Sequence, residues 1–240
     1  MGPVPPVPIN PRYGQVNVAL AERWASLAES EDGPFLAINL MRYRPMADYL
    51  DGRVTDLTGR EADDAYTPLG PLVSVGASFV LAADVDAQPV GEPGFHRLAI
   101  VRYPTRRSFL RMQELDEFRE LHVHKDAGME FTIIAAAAPP ARVSSGDPRG
   151  RLVVRLRRLH PGAEPAPAPE GVSEVARFEL EDVIVGDGRS FDEALVDRVL
   201  PDALSALAET PDGVAEQVVT VLATPMLDAL GLVAGDGAGG

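Results

Sequence analysis

The sequence has no cysteine and a single lysine, Lys125. The absence of cysteine excludes disulfide bonds, thiolate metal ligands and cysteine nucleophiles. Long apolar runs are also missing, because the longest, around residues 131–138, is far short of the ~20 residues that span a bilayer. The first residues show neither the basic nor the apolar region of a secretion signal, so we expect a cytoplasmic protein.

Basic residues are few relative to acidic ones, and the formal net charge is -14 at pH 7. A surface that binds nucleic acid or an anionic membrane needs a concentrated basic patch, so we expect neither partner. The sequence signatures of dinucleotide binding, NTP hydrolysis, serine hydrolases and zinc proteases are missing too. The chain is long enough to bury one large core or two small ones.

The spacing of apolar residues predicts the order of the first elements. A Pro-rich arm and a helix occupy residues 1–34, where Val16, Leu20 and Trp24 recur at helical spacing. The following segments are predicted as strands at 35–43, 77–85, 97–103 and 130–138, with helices at 61–75 and 104–128. This β-α-β-β-α-β order is the ferredoxin-like motif, so the predicted fold class is α+β.

The second half of the chain begins after a Pro/Gly/Ser-rich linker at 139–150. Strand patterns at 151–159, 172–185 and 216–223, and a helix predicted at 191–209, indicate a C-terminal α+β unit over 151–230. A flexible tail is expected at 231–240. Two interpretations of this unit stay open. It is either a shortened second ferredoxin-like unit or an extension that covers a sheet edge or packs on a partner subunit.

Three segments resemble the DUF1330 family. Residues 95–112 (FHRLAIVRYPTRRSFLRM) are similar to its signature, in which a strand ends in an RYP-like turn and a helix of the form SRxAFLxM follows. Residues 124–129 (HKDAGM) resemble the family's HRxAGL segment, and residues 37–43 (AINLMRY) resemble its first strand. The matches occur in the family's order and cover about residues 35–138.

This resemblance implies a ferredoxin-like domain whose sheets pair to form a dimeric α/β barrel. The family has no known function, and relatives of the architecture include cofactor-free monooxygenases, small isomerases, cyclases and haem enzymes, so fold does not fix function. The chain departs from the family pattern at His96, where an acidic residue is common. The insert between Arg44 and Glu61 is also longer than usual.

Polar residues within the first strand suggest a ligand site. Strand alternation places Asn39, Met41 and Tyr43 on one face and the aliphatic Leu36, Ile38 and Leu40 on the other. We expect the aliphatic face to pack on the helices and the Asn39 face to line the barrel cavity. There the Asn39 amide would orient a substrate carbonyl or stabilise an enolate. Alternatively, Asn39 bonds the backbone to fix packing.

Further candidates lie on the third strand and the helices. His96 and Arg102 would share one strand face, as a general base and a carboxylate clamp, unless His96 lies in the preceding turn. His124 stands at the family's motif histidine, although a cation there also suits a helix C-terminus. Tyr66 is a candidate phenol donor or a core residue. His122 and His124 point ~200° apart on a helix, so no metal site is expected.

Three arginines, Arg151, Arg155 and Arg157, alternate on one face of the strand predicted at 151–159. The sequence allows two interpretations of this row. It lines an anion site, or it forms a solvated face that is paired with the many carboxylates of the chain. We expect the solvated face.

The leading hypothesis is a small-molecule-binding α/β-barrel protein, in its enzymatic form a cofactor-independent oxygenase, isomerase or cyclase acting on an apolar or aromatic substrate. His124 or His96 would be the base, and Asn39 and Tyr43 would stabilise an oxyanion. Substrate-binding residues would be Arg102, Tyr66 and Met41. No cofactor is expected.

The alternative is a non-catalytic binding or assembly protein without a cavity of about 300 Å³ or more. A third reading is a haem protein, which requires an axial histidine in the cavity. We expect a homodimer or an internal pseudo-dimer.

Overall fold

The computed structural model describes residues 10–162, 168–205 and 215–233. Most of the predicted arm and the predicted tail beyond residue 233 lie outside these ranges. The elements are β1 (Gln15–Val16), α1 (Val18–Ser26), β2 (Phe35–Tyr43), α2 (Gly59–Tyr66), α3 (Leu69–Ser74), β3 (Ser78–Val90), β4 (Arg97–Tyr103), α4 (Arg106–Met112), α5 (Asp116–Gly128), β5 (Met129–Ala137), β6 (Arg151–Leu159), β7 (Val172–Gly186), β8 (Glu193–Val199) and β9 (Ala215–Asp228). Short 3-10 helices lie at Pro201–Ala203 and Leu230–Val233. In the described ranges, no helix is both long and apolar enough to cross a membrane.

The sheet closes into a barrel within one chain. Its strand order is β7-β5-β2-β4-β3-β9-β6-β8, β8 pairs back with β7, and the short β1 adds to β7. Each half has the ferredoxin-like order of fourth, first, third and second strand, as β5-β2-β4-β3 and as β9-β6-β8-β7. The joins are β3 with β9 and β5 with β7. The predicted α+β class and barrel architecture are therefore confirmed, and the second half occupies the edges of the first sheet.

The barrel interior is filled with aliphatic side chains. Leu36, Ile38 and Leu40 of β2 point inward and belong to one core with residues of the opposite sheet, such as Leu152 and Phe178. The prediction that this aliphatic face packs on the helices is wrong. The barrel interior is closed on all sides by strands, so a face without polar side chains fits there at the lowest desolvation cost.

The other face of the first sheet is covered by the helices and forms a second core. Trp24 of α1 packs on Phe35, with ring centroids 4.9 Å apart, and Phe35 stacks on Tyr103 at 5.3 Å. Ala37, Met41 and Tyr43 of β2 belong to this core. The Asn39 face therefore looks toward the helices, opposite to the predicted direction.

Helix boundaries follow local signals. The Asn17 side chain accepts a hydrogen bond from the Leu20 backbone N–H and caps α1. Thr58 and Glu61 form a capping box that starts α2. The helix predicted at 61–75 is divided into α2 and α3 next to Pro68, which lacks the donor a continuous helix needs. The helix predicted at 104–128 is likewise divided, into α4 and α5.

The helix predicted at 191–209 is wrong where Glu193–Val199 forms β8. The stripe that suggested a helix, with Leu195 and Val199 four residues apart, also falls on one face of a strand, because four is a multiple of the strand period. Ala194, Leu195 and Val196 are all buried. β8 is therefore covered on both faces, a pattern that periodicity alone does not distinguish from a buried helix.

The arginine row of β6 pairs with carboxylates, as expected, but two of its members are buried rather than solvated. Arg155 forms an ion pair of 2.7 Å with Asp197, and Arg157 contacts Glu193. Both Arg155 and Arg157 are buried. Only Arg151 is exposed, and it pairs with a carboxylate of β3. The row is a buried ion-pair cluster of the second sheet.

Candidate functional site

Helices α2 and α5 pack against each other through two glycines, Gly59 and Gly128. A Cβ atom at Gly59 or Gly128 would overlap the carbonyl oxygen of the other glycine. The backbone N–H of Arg44 donates to the Gly128 oxygen at 2.8 Å, and the Gly59 N–H donates to the Arg44 oxygen at 3.2 Å. Asp63 lies one turn after Gly59, and Lys125 lies one turn before Gly128. Each side chain is therefore on the same helix face as the glycine of its helix, where α2 and α5 meet. The glycines thus bring a carboxylate and an amine close to each other.

A cavity of about 390 Å³ lies between the first sheet and the helices. Its wall is mostly apolar and aromatic, and it includes Leu20, Trp24, Ala37, Leu72, Tyr103 and Phe109. At its opening, three exposed apolar side chains belong to the lining: Leu69 of α3 and Met226 and Leu227 of β9. The second half of the chain therefore contributes to the mouth of a cavity on the first sheet.

Lys125 is a buried cation in the cavity wall. Its Nζ lies 5.4 Å from the ring centroid of Tyr13 and 5.1 Å from that of Tyr66. Among the described residues, it forms no hydrogen bond and no ion pair. Burial lowers the pKa of the Lys125 ammonium, and the charge of Asp63 opposes that shift. The two aromatic rings compensate only part of the desolvation.

Asp63 is held by other partners. The Tyr43 hydroxyl donates to Asp63 Oδ2 at 2.7 Å, and Arg97 approaches the same oxygen at 3.4 Å. Burial raises the pKa of the Asp63 carboxyl, against the attraction of Lys125, the Tyr43 hydrogen bond and the attraction of Arg97. Asp63 lines the cavity and is bonded by Tyr43 and Arg97, not directly by Lys125.

Tyr13 lines the cavity and is also hydrogen-bonded to His122. Its hydroxyl and His122 Nε2 form a 2.8 Å hydrogen bond. Burial, followed by the nearby charge of Lys125, lowers the pKa of His122 to about 4, so the imidazole is neutral at pH 7. The neighbouring Arg12 holds this part of the chain through a 2.7 Å ion pair with Asp126 of α5. Pro11, near the end of the predicted arm, also lines the cavity.

Three of the predicted site residues, Asn39, Met41 and Tyr66, line the cavity. The Asn39 side-chain nitrogen donates to the backbone oxygens of Ala37 at 3.0 Å and Ala99 at 3.4 Å. Both amide hydrogens are used in this way, so Asn39 can offer a ligand its oxygen as an acceptor. The predicted stabilisation of an oxyanion needs a donor, which this amide no longer provides.

The other four predicted residues lie outside the cavity lining. Tyr43 donates its hydroxyl hydrogen bond to Asp63, which does line the cavity. His96 is exposed in the turn before β4, and its Nδ1 accepts a hydrogen bond from the Tyr43 backbone N–H at 3.0 Å. Arg102 is half-buried on the barrel side of β4. His124 Nδ1 and the Tyr49 hydroxyl are 2.7 Å apart, on the outer side of α5.

Sequence reasoning missed Lys125, Tyr13 and Asp63 as site residues. Lys125 carried a signal, because it is the only lysine and lies in the HKDAGM segment beside the motif histidine. Tyr13 and Asp63 carried no signal of comparable strength. Tyr13 follows a run of prolines, and Asp63 is one of several acidic residues on a polar helix.

Metal and haem sites find no support in the donor set. In the part of the chain that the structure describes, no group of three or more His, Asp or Glu side chains is placed to hold a metal ion. All four histidines are described, and none of them lines the cavity. The axial ligand that the haem reading requires is therefore missing from the cavity wall, and the residues present do not fit a haem.

No protein-family model and no curated protein match the chain. Among solved structures, it is similar to the RPA0582 protein of unknown function from Rhodopseudomonas palustris, with 25% identity over 58% of this chain and 100% of that one and a TM-score of 0.48. A mutant chlorite dismutase from Candidatus Nitrospira defluvii matches at 10% identity, over 89% and 99% of the two chains, with a TM-score of 0.47.

A protein described as a candidate monooxygenase from Lactobacillus acidophilus matches at 9% identity, over 82% and 97%, with a TM-score of 0.43. The strand order and closure of the sheet place this chain in the class of α/β-barrel proteins built from ferredoxin-like sheets. Membership of DUF1330 stays a prediction from its three motifs.

Proposed function

We propose that the protein binds one small, mostly apolar molecule in the helix-side cavity, with an acidic or carbonyl oxygen of that molecule bonded to Lys125. The observation that carries this proposal is a buried ammonium in a mostly apolar wall without a protein acceptor among the described residues. A cavity of about 390 Å³ is within the usual range for small ligands.

Within the described ranges, the Lys125 ammonium has no hydrogen-bond acceptor of its own. Burying an ammonium costs several kcal/mol unless it is paired and hydrogen-bonded, and the attraction of the rings, about 2 kcal/mol or more when desolvated, offsets part of that cost. Asp63 is bonded by Tyr43 and approached by Arg97, so it does not satisfy Lys125 directly. A ligand oxygen at Nζ would supply the missing hydrogen bond, which is worth about 1.5–3 kcal/mol when one partner is charged.

This proposal narrows the hypotheses drawn from the sequence. The assembly reading predicted no cavity of this size, so binding is favoured over a purely structural role. In an enzymatic form, the reacting carbonyl of an apolar or aromatic substrate would lie at Lys125 rather than at His96 or His124, since neither histidine lines the cavity.

Fluorescence of Trp24 tests the proposal. Trp24 is the only tryptophan and lines the cavity, so its emission reports on occupancy. Hydrocinnamate carries a carboxylate on an apolar body, and hydrocinnamyl alcohol is its neutral analogue. We expect a saturable change with hydrocinnamate and a dissociation constant about tenfold or more higher for the alcohol. If neither compound changes the emission, the proposal is wrong.

The variant Lys125→Met removes the amine and keeps an unbranched apolar chain. Its affinity for hydrocinnamate should fall about tenfold or more, while its affinity for the alcohol should change little. Arg111→Met is the matched control, because Arg111 is an exposed cation of α4 outside the lining. Equal loss in both variants, or no loss in Lys125→Met, would contradict a role for Lys125 in binding.

A further inference from the structure

We propose that Lys125 is a reactive amine that forms a reversible imine with an aldehyde or ketone held in the cavity. This inference rests on the proposed function and identifies the ligand class as carbonyl compounds with an apolar or aromatic body. The observations are the position of Nζ between the rings of Tyr13 and Tyr66, its place in the cavity lining and the lack of a direct ion pair with any residue that the structure describes.

Burial raises the share of Lys125 in the neutral amine form, which is the nucleophilic form, above that of an exposed lysine. An exposed lysine is protonated at pH 7 in all but about one molecule in 2,500. Burial lowers the pKa of Lys125, and a lysine desolvated in an apolar pocket is a common imine-forming group. Among the described residues, the titratable groups that contact Lys125 or interact with its charge are Asp63, which opposes the shift, His122, which is neutral, and Tyr13 and Tyr66.

The reaction balances without an oxidant or reductant. The lone pair of Nζ attacks the carbonyl carbon and forms a C–N bond, while the C=O π electrons move to oxygen. A proton passes from nitrogen to that oxygen and gives a carbinolamine. The hydroxyl takes a proton from solvent, the C–O bond breaks and water leaves as the C=N bond forms, and the second nitrogen proton returns to solvent. Hydrolysis reverses the sequence and returns the free amine.

The chain is suited to a test, because it contains no cysteine and no other lysine. The probe is hydrocinnamaldehyde with sodium cyanoborohydride at pH 7, which reduces an imine to a stable secondary amine. Intact mass should increase by the aldehyde minus water plus two hydrogens, and peptide mapping should locate the addition at Lys125. The chain N-terminal amine is the internal reference on the same map.

We expect labelling of Lys125 to be at least about tenfold faster in the folded protein than in the same chain unfolded by guanidinium chloride, where the lysine has its ordinary pKa. The N-terminal amine should show no such ratio. Lys125→Arg keeps the charge but forms no imine, so its only adduct should be at the N-terminus.

The two proposals fail in different ways. If hydrocinnamate changes Trp24 emission but the aldehyde leaves Lys125 unlabelled, or labels it no faster than in the unfolded chain, the imine proposal is wrong and binding stands. If neither the acid nor the aldehyde changes the emission, the proposed function itself is wrong. Rapid labelling at Lys125 that hydrocinnamate suppresses supports both.

Discussion

Gly59 and Gly128 lie against each other so closely that the carbonyl oxygen of each occupies the place of a side chain on the other. Replacing Gly128 with alanine therefore forces two backbones apart. We expect a loss of about 1–3 kcal/mol in the free energy of unfolding, which is usual for overpacking, measured by urea denaturation. Gly33→Ala is the control, because nothing lies within 4 Å of the added atom there. A Gly128→Ala variant as stable as the control would contradict this contact.

The proposed role of Lys125 has a consequence for stability. Replacing this buried cation with methionine removes its desolvation cost, so Lys125→Met should raise the free energy of unfolding by about 1–3 kcal/mol at pH 7. The gain should shrink as the pH approaches about 10.4, where the lysine becomes neutral in the unfolded chain as well. Urea denaturation at several pH values measures both effects. A destabilised variant would show that Lys125 is satisfied within the protein.

His122 should make the fold sensitive to acid. Its pKa is lowered from 6.5 to about 4 on folding, so the unfolded chain binds more protons between these values. Stability is therefore complete above about pH 6.5 and falls as the pH decreases to about 4, by up to about 3 kcal/mol. Asp63, with a raised pKa, acts in the opposite direction in part of this range.

A comparison with His122→Gln isolates the contribution of His122, because Asp63 is present in both proteins. The free energy of unfolding of the parent protein, measured by urea denaturation relative to that of His122→Gln, should decrease as the pH falls from about 7 to about 4. His160→Gln, at an exposed position, serves as the control. A difference that is constant with pH would contradict the lowered pKa.

Removing one partner of the buried pair Arg155–Asp197 should destabilise the fold strongly, whereas replacing both residues with apolar ones should change its stability little. Arg155→Met leaves Asp197 buried without its partner, and we expect a loss of about 3–5 kcal/mol. The double variant Arg155→Met with Asp197→Leu should recover most of that loss. Arg149→Met, which breaks the more exposed pair with Asp147, should cost less than about 1 kcal/mol. Thermal or urea denaturation separates these outcomes, and a double variant no better than the single one would contradict this account.

The proposal that residues 151–230 are a second, shortened ferredoxin-like unit predicts a monomer. The edges β3 and β5 already pair with β9 and β7 of the same chain, so the strands that would join two chains are occupied. Light scattering after size exclusion should give the mass of one chain. The mass of two chains at low concentration would show that another surface associates.

The sequence predicts much of the first sheet because its strands are marked locally. β2 is a nine-residue run of mostly apolar residues, and it and β4 appear at the predicted bounds. Local patterns do not show which face of a strand points into the barrel and which points toward the helices. Leu36 and Asn39 exchange their expected surroundings because the position of the helices relative to the barrel depends on pairing between distant halves of the chain.

The site was predicted in part for a similar reason. Asn39 and Met41 lie on a strand whose apolar character is visible in sequence, Tyr66 lies on a predicted helix, and all three line the cavity. Lys125 becomes a site residue only because Tyr13, from a segment without helical or strand periodicity, closes over it. Such a contact depends on the complete fold and leaves no repeating pattern in the sequence.

Closure of the barrel by a single chain also removes a constraint of symmetry. In a barrel assembled from two identical chains, every substitution occurs twice, so both binding sites must tolerate it. Here Met226 and Leu227 border the cavity of the first sheet from a half that differs in sequence. A change at either position alters one opening only, and selection can adjust the ligand preference of this cavity without a matching change across the barrel.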